Sequence, residues 1–430
     1  MRRFSTTASG HGAKRRARSA GRILSAVLSL AIPAGGAIAG DDNQLDADAA
    51  RIHRKVLVID GHVDIPLDYG AGKHAPDVDG DTQVDLPKLE RGGVDAAVFS
   101  VFAKQRRRTP EGLARAKADA EVKLKAINEI AAKHPDRAGI ALTAEDVGRL
   151  HEQGKVAVIV GFLNGQPIGA DLSQIDRLYR AGVRTFGFVH AGNNDLADSS
   201  RPLGDDRPNE HGGLSPLGRQ AVERLNELGV IIDVSQLTRD AVLQTAKLSR
   251  APVIASHSAV RALVDSPRNL TDAELDAIKS TRGVVHIVAF DYYLKSPRSG
   301  ADAEIKRVLA KYTADARDLT EAQEEAYHKE IYAALPKEAT VAHLVDAIDY
   351  AVKRIGIDHV GISSDFNHGG GVIGWNSEAE AANVTRELVR RGYGEEQIAK
   401  LWGGNFLRVF RDVESVARRS RTADAQIPRR

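Results

Sequence analysis

A histidine and an aspartate two positions apart, His62 and Asp64, close the run Val56-Leu-Val-Ile-Asp-Gly-His-Val-Asp64. The apolar residues ahead of them read as a buried strand. Strand side chains alternate faces, so positions i and i+2 point the same way. An imidazole and a carboxylate leaving one strand end together make half of a metal site. Polar residues just past apolar runs recur along the chain: His190 after Thr185–Val189, Gln236 after Val230–Val234, His257 after Val253–Ala255 and Asp365 after His359–Ile362. Three histidines and two aspartates at four strand ends suit a divalent ion bound through nitrogen and oxygen, with a carboxylate left as general base. Taken singly, each has a structural reading. A strand-end His is readily a hydrogen-bonded core residue, and Asp365 in Ser363-Ser364-Asp365-Phe366 a turn former. The joint pattern carries the chemistry.

Eight short β-branched runs must position these residues. Besides those above they are Val56–Ile59, Ala96–Phe102, Val156–Phe162 and Val284–Phe290, with helical patterns between them such as Ala114–Lys133, Leu217–Leu228 and Val341–Arg354. Near-continuous apolar strands alternating with helices predict a parallel sheet covered on both faces. Eight such units predict an α/β fold, a closed (β/α)8 TIM barrel, whose chemistry sits at the C-terminal strand ends. An open doubly wound sheet is the runner-up, but no Gly-x-Gly-x-x-Gly opens a helix after the first strand. Between Lys295 and Lys337 a charged, mostly helical insertion precedes the last strand, expected as a lid, an oligomer contact or a solvated hairpin.

Composition narrows the class. The 430 residues carry 60 Lys plus Arg against 58 acidic residues, with much of the small excess at the two ends. The body lacks a nucleic-acid footprint. Absence of cysteine excludes disulfides, thiolate ligands and a cysteine nucleophile. Residues 1–39 read as a signal peptide: a basic n-region, the short apolar stretch Ile23–Ile32, and Ala37-Ile-Ala39 as cleavage site. That stretch is too short to span a bilayer comfortably. The expectation is an exported protein, periplasmic or secreted, with the barrel over 40–412 and a basic tail over 413–430.

The chain resembles the renal (membrane) dipeptidase family of zinc hydrolases, within the amidohydrolase superfamily. The resemblance runs from about Lys55 to about Val409. It is carried by Ile59-Asp-Gly-His-Val-Asp64, Val84-Asp-Leu-Pro-Lys-Leu89 with Gly92-Gly93, Leu178-Tyr-Arg-Ala-Gly-Val-Arg184, Asn193-Asn194 with Ala197-Asp-Ser199, and Leu214-Ser-Pro-Leu-Gly218. Ser249-Arg-Ala-Pro-Val253, Ser256-His257-Ser258, Arg268-Asn269, His359-Val-Gly-Ile362 with Ser364-Asp-Phe366, and Trp402-Gly-Gly-Asn-Phe406 complete it. The resemblance implies a homodimeric, binuclear zinc barrel that hydrolyses dipeptides and tolerates D-residues on the leaving side. It implies His62 and Asp64 as ligands of the first ion and His257 of the second. His190 would act on the oxyanion and Arg268 on the substrate carboxylate. Asp365 would move the proton from water to the leaving amine.

Two family ligands are replaced. The Glu that bridges both ions reads Leu163 here, and a His on the second ion reads Gln236. Leucine ligates nothing, and an amide oxygen is a poor neutral substitute for imidazole. Two neighbouring divalent ions need an anionic bridge. The expectation is therefore one Zn2+, or another divalent ion, held by His62, Asp64, His257 and Asp365, with Gln236 as a weak extra ligand. Three functions fit these residues: a dipeptidase, a mononuclear amidohydrolase on another small amide or lactone, and a catalytically impaired periplasmic binder.

Overall fold

Short segments, most of them apolar and β-branched, form nine parallel strands in the computed structural model, which describes residues 37–425. These are β1 Ile59–Asp64, β2 Ala96–Phe102, β3 Ala138–Ile140, β4 Val156–Leu163, β5 Val183–Gly187, β6 Ile231–Asp233, β7 Val253–Ser258, β8 Val284–Val288 and β9 Val360–Ser363. Eight of them pair in the order β1-β2-β4-β5-β6-β7-β8-β9. The predicted (β/α)8 barrel is what they build. The ninth, β3, pairs with Val156–Val158 of β4, ahead of the point where β5 joins at Val160. It lacks a long apolar run and was not expected. The expected signal peptide lies, through residue 36, outside the described residues. Residues 37–43 are the first turns of a helix, Ala37–His53. No helix of the described residues is long and apolar enough to cross a membrane.

Two packing layers hold the barrel. Ile59, Ala96, Val98, Ala157, Ile159, Ile231, Ile254 and Val284 cluster with Phe406, Phe410 and Val413 of the last helix, Asn405–Ala425. Their strand neighbours, such as Ala97, Phe99, Val158, Ile232, Val285 and Ile362, pack in the larger cluster with the outer helices. Most of those strand residues sit near strand N-termini, so the last helix plugs the end opposite the expected site. The stretch expected as a basic tail from residue 413 instead continues this helix to Ala425. Phe406, Phe410, Val413 and Ala417 recur at helical spacing and are buried.

Local signals fix the helix starts. Asp85, Thr109, Thr143 and Ser215 each accept a backbone N–H of the following turn, which satisfies a donor the helix leaves open. Gly61 and Gly361 have a different task. A Cβ at either would lie 2.7 or 2.4 Å from the buried His286 ring, so both strands yield that volume to the imidazole.

The insertion forms helices Ala301–Leu309 and Glu321–Ala334 with its own apolar cluster of Ala301, Val308, Ile331 and Leu335. It packs over the loops after the strands. Lys104 pairs with Glu324 at 2.8 Å, Arg106 donates to the Leu319 carbonyl at 3.1 Å, and Lys337 donates to the Gly370 carbonyl at 2.7 Å.

Candidate active site

The barrel closes through the same residues that the sequence marks for chemistry. Asp64 N–H donates to the Phe366 carbonyl at 2.9 Å, and Asp365 N–H to the His62 carbonyl at 3.0 Å. The strand ends of β1 and β9 are thereby stitched together. His62 and Asp64 lie within β1 rather than past it, because pairing with β2 continues through Asp64 after an irregularity between Asp60 and Val63. Several residues at this mouth hold left-handed backbone although none is glycine: Asn164 (φ 75°), Gln236 (φ 75°), Asp365 (φ 57°) and Asn367 (φ 63°). Such conformations cost free energy and cluster where a side chain must be aimed.

His62, Asp64 and Asp365 form one cluster of ligand atoms, all buried. His62 Nε2 lies 3.4 Å from Asp64 Oδ2 and 3.9 Å from Asp365 Oδ1. His62 Nε2 and both Asp64 carboxylate oxygens have no hydrogen-bond partner. Orphaned buried polar atoms are rare, because each costs about 1–3 kcal/mol or more. Burial disfavours the imidazolium, yet Asp64, Asp365 and Asp233 together outweigh it and hold His62 up to about 9. Burial pushes Asp365 up to about 7 despite the His62 charge beside it. The cluster thus needs positive charge, and its donor set of one imidazole and two carboxylates fits a divalent ion.

A second cluster, His62, Asp233 and His257, shares the His62 ring, which stacks on His257 at 4.0 Å. Here the hydrogen bonds are complete. Asp233 Oδ1 accepts from Ser235 N–H and Ser256 N–H at 2.9 Å each, and Oδ2 from Ser256 Oγ at 2.5 Å. His257 Nδ1 meets Ser256 Oγ at 2.7 Å, and Nε2 meets Gln236 Nε2 at 3.0 Å. Gln236 Oε1 accepts from Arg201 at 3.1 Å. His257 therefore joins Asp233 rather than Asp64 and Asp365, and Gln236 spends its amide on neighbours. Leu163 and Asp233 Oδ2 flank Gly187, so an apolar side chain stands beside this second cluster.

Arg268 is almost fully buried. It donates to the His257 carbonyl at 2.9 Å, lies 5.2 Å from the Tyr293 ring, and leaves its Nε without an acceptor. His190 is buried against Phe102 and His368, at 4.4 and 5.0 Å between ring centroids. Burial and the nearby Arg201 charge lower its pKa well below the ordinary imidazole value, so it is neutral at pH 7. His368 is also pulled down, to about 4, chiefly by burial. The amides at the other strand ends hold loops. Asn164 donates to the Ala103 carbonyl and accepts from Asn194, and Gln166 brackets the backbone of Arg106 on both sides. Arg261 pairs with Asp265 on the surface.

Sequence reasoning missed Asp233 and Arg201. Asp233 had a usable signal, since it ends β6 as Asp64 ends β1. Arg201 lies in an irregular segment after β5, where no periodicity points at the site.

Residues 46–424 match the family described as membrane dipeptidase, peptidase family M19. The dipeptidase tcpJ of Claviceps purpurea is 31% identical over 78% of this chain and 70% of its own length. A crystal structure of the probable dipeptidase PvdM from Pseudomonas aeruginosa is 43% identical, covers 87% of this chain and all of that one, and superposes with a TM-score of 0.80. A metallo peptidase from Rhodobacter sphaeroides, solved with a phosphinate mimic of L-Ala-D-Ala, shares the fold at 22% identity and a TM-score of 0.66, over 83% of this chain and 99% of that one. With its barrel and its family match running together over nearly the whole described chain, this protein belongs to the membrane dipeptidase family, peptidase family M19, a family of metallodipeptidases.

Proposed function

We propose that this chain is an exported dipeptidase that works with one divalent ion, zinc in the first instance, held by His62, Asp64 and Asp365. The observation that carries this reading is the unmet demand of His62 Nε2 and both Asp64 oxygens in a buried pocket. An ion bound there supplies Lewis acidity, polarising a carbonyl and making water easier to deprotonate.

The remaining steps belong to the protein. Arg268, with its free Nε, receives the substrate's C-terminal carboxylate, a geometry a guanidinium suits. Asp365 takes a proton from the attacking water and returns it to the leaving amine. A buried carboxylate set beside the attacking water can do both. His190 and the groups it touches face the scissile carbonyl. The insertion, seated over the strand-end loops, excludes bulk water and limits the substrate to a short peptide. Export rests on the basic and apolar pattern of residues 1–39, and predicts a mature N-terminus at Gly40 in protein from the cell envelope.

The test is elemental analysis of purified protein beside hydrolysis of a panel of L,L and L,D dipeptides, with and without chelator. The reading expects about one equivalent of zinc and chelator-sensitive turnover. It also expects Asp365→Asn to lower kcat by about 10²–10⁴-fold. Protein that takes up no metal and cleaves nothing after zinc is added back favours a small-molecule binder instead.

A further inference from the structure

A one-ion site leaves Arg201, Gln236 and His257 without a task, yet these side chains are held in one directed chain. Arg201 Nη2 donates to Gln236 Oε1 at 3.1 Å. Gln236 Nε2 then donates to His257 Nε2 at 3.0 Å, which leaves the ring proton on Nδ1. His257 Nδ1 donates to Ser256 Oγ at 2.7 Å, and Ser256 donates to Asp233 Oδ2 at 2.5 Å. Each member donates to the next, and the series runs from a permanent cation to a carboxylate.

Arg201 is unusual in its company. Among the described residues its side chain bonds only to a neutral amide and a neutral imidazole, His190 Nε2 at 3.4 Å, and its buried Nε has no partner. Among the described residues no carboxylate pairs with it directly, although its field reaches Asp365, Arg268 and His190. A half-buried guanidinium without a counter-ion is costly unless a ligand supplies the anion. The contact with His190 also has a direction. Arg201 has only protons to offer, so His190 Nε2 must present its lone pair and cannot itself donate to a substrate oxygen from that atom.

We propose that Arg201 is the oxyanion donor of this site: Gln236 and His190 hold its guanidinium so that a free N–H meets the scissile carbonyl oxygen as negative charge builds on it. The assignment rests on the one-ion dipeptidase reading and deepens it. A site with a single ion lacks the charge a second would bring, and a guanidinium tied to His257 through Gln236 supplies it without a metal. Gln236 is then a positioning residue, and Leu163 keeps a competing carboxylate away.

The experiment compares the full chain with Arg201→Ala and Arg201→Lys, checked for folding by thermal unfolding. Zinc content, kcat and KM on a dipeptide that the wild type cleaves, and calorimetric affinity for a phosphinate dipeptide mimic are measured on each. Arg201→Ala should keep about one equivalent of zinc, lose about 10²–10³-fold in kcat with KM within about threefold, and lose phosphinate affinity in step, as removal of one oxyanion donor does. Arg201→Lys should recover at least about tenfold. The assignment is overturned if Arg201→Ala turns over within about threefold of wild type, if its zinc is lost along with activity, or if Lys recovers nothing. Wild-type protein that neither binds zinc nor cleaves a dipeptide overturns the one-ion reading and this assignment together, an outcome separable from an active wild type with an indifferent Arg201→Ala.

Discussion

Two clusters of His and Asp share the His62 ring, are equally buried, and differ in one respect. In the first, His62 Nε2 and both Asp64 oxygens lack partners; around Asp233 and His257 every side-chain nitrogen and oxygen is already bonded. Residue type and burial therefore do not by themselves mark an ion site. Unmet hydrogen-bond demand does, because a protein tolerates an orphaned carboxylate only where something else satisfies it. The second cluster reads as a hydrogen-bond relay, with Gln236 joining Arg201 to His257.

The comparison breaks most visibly if the first cluster is emptied. His62→Ala or Asp64→Ala should drop zinc from about one equivalent to near none and lower kcat/KM by roughly 10³-fold or more, since several kcal/mol of charge stabilisation leave with the ion. Zinc retained at full stoichiometry in both variants would move the ion elsewhere. The converse change rebuilds the second cluster. Leu163→Glu with Gln236→His should leave zinc at about one equivalent while Arg201 is present, because its guanidinium opposes a second cation there. Adding Arg201→Ala to that pair should raise it toward two. Elemental analysis decides, and two equivalents with Arg201 intact would contradict the idea that a fixed charge occupies the place.

Much of this was legible in the chain, for physical reasons that also explain the gaps. Long apolar runs announced eight strands, and polar residues at their ends announced the site. The three residues β3 contributes carry no such run. The last helix was misread because Arg418, Arg419 and Arg421 drew attention to charge, although Phe406, Phe410 and Val413 kept a helical repeat. The split of five candidate ligands into two clusters was beyond reach. It depends on where Gln236 and Ser256 send their hydrogens, and no spacing in the sequence encodes that.

Arg268 offers a smaller effect on the same site. With its Nε unpaired, it should contribute about 1.5–3 kcal/mol through a charge-assisted pair with the substrate carboxylate, so Arg268→Ala should raise KM roughly 10–150-fold. A dipeptide whose C-terminus is amidated removes the same contact from the other side. Wild type and variant should handle it alike. A variant equally impaired on both substrates would place Arg268 in the support of His257, whose carbonyl it also holds.

A last effect, on stability rather than on turnover, comes from an acidic pair outside both clusters. Asp60 Oδ1 accepts from His62 N–H and Ser364 N–H at 3.0 Å each, so it ties the two strand ends that carry the ion ligands. Its Oδ2 faces Glu378, and with both groups ionised neither Oδ2 nor the Glu378 oxygens would have a donor. Burial and the Asp60 charge push Glu378 well above the ordinary carboxyl range, so Glu378 keeps a proton and donates it to Asp60. The unfolded chain gives that proton up above about 4.5, so the folded state binds more protons and stability falls as pH rises from there. A glutamine can donate the same hydrogen bond without titrating. Glu378→Gln should therefore match wild type near pH 4.5 and gain on it as pH rises, by up to about 1.4 kcal/mol per unit, roughly 1–2 °C in Tm for a chain of this length. Thermal unfolding across pH 5–8 checks this. A constant offset, or a gap that narrows toward alkaline pH, would mean that Glu378 is ionised beside Asp60 and that some other group carries the shared proton.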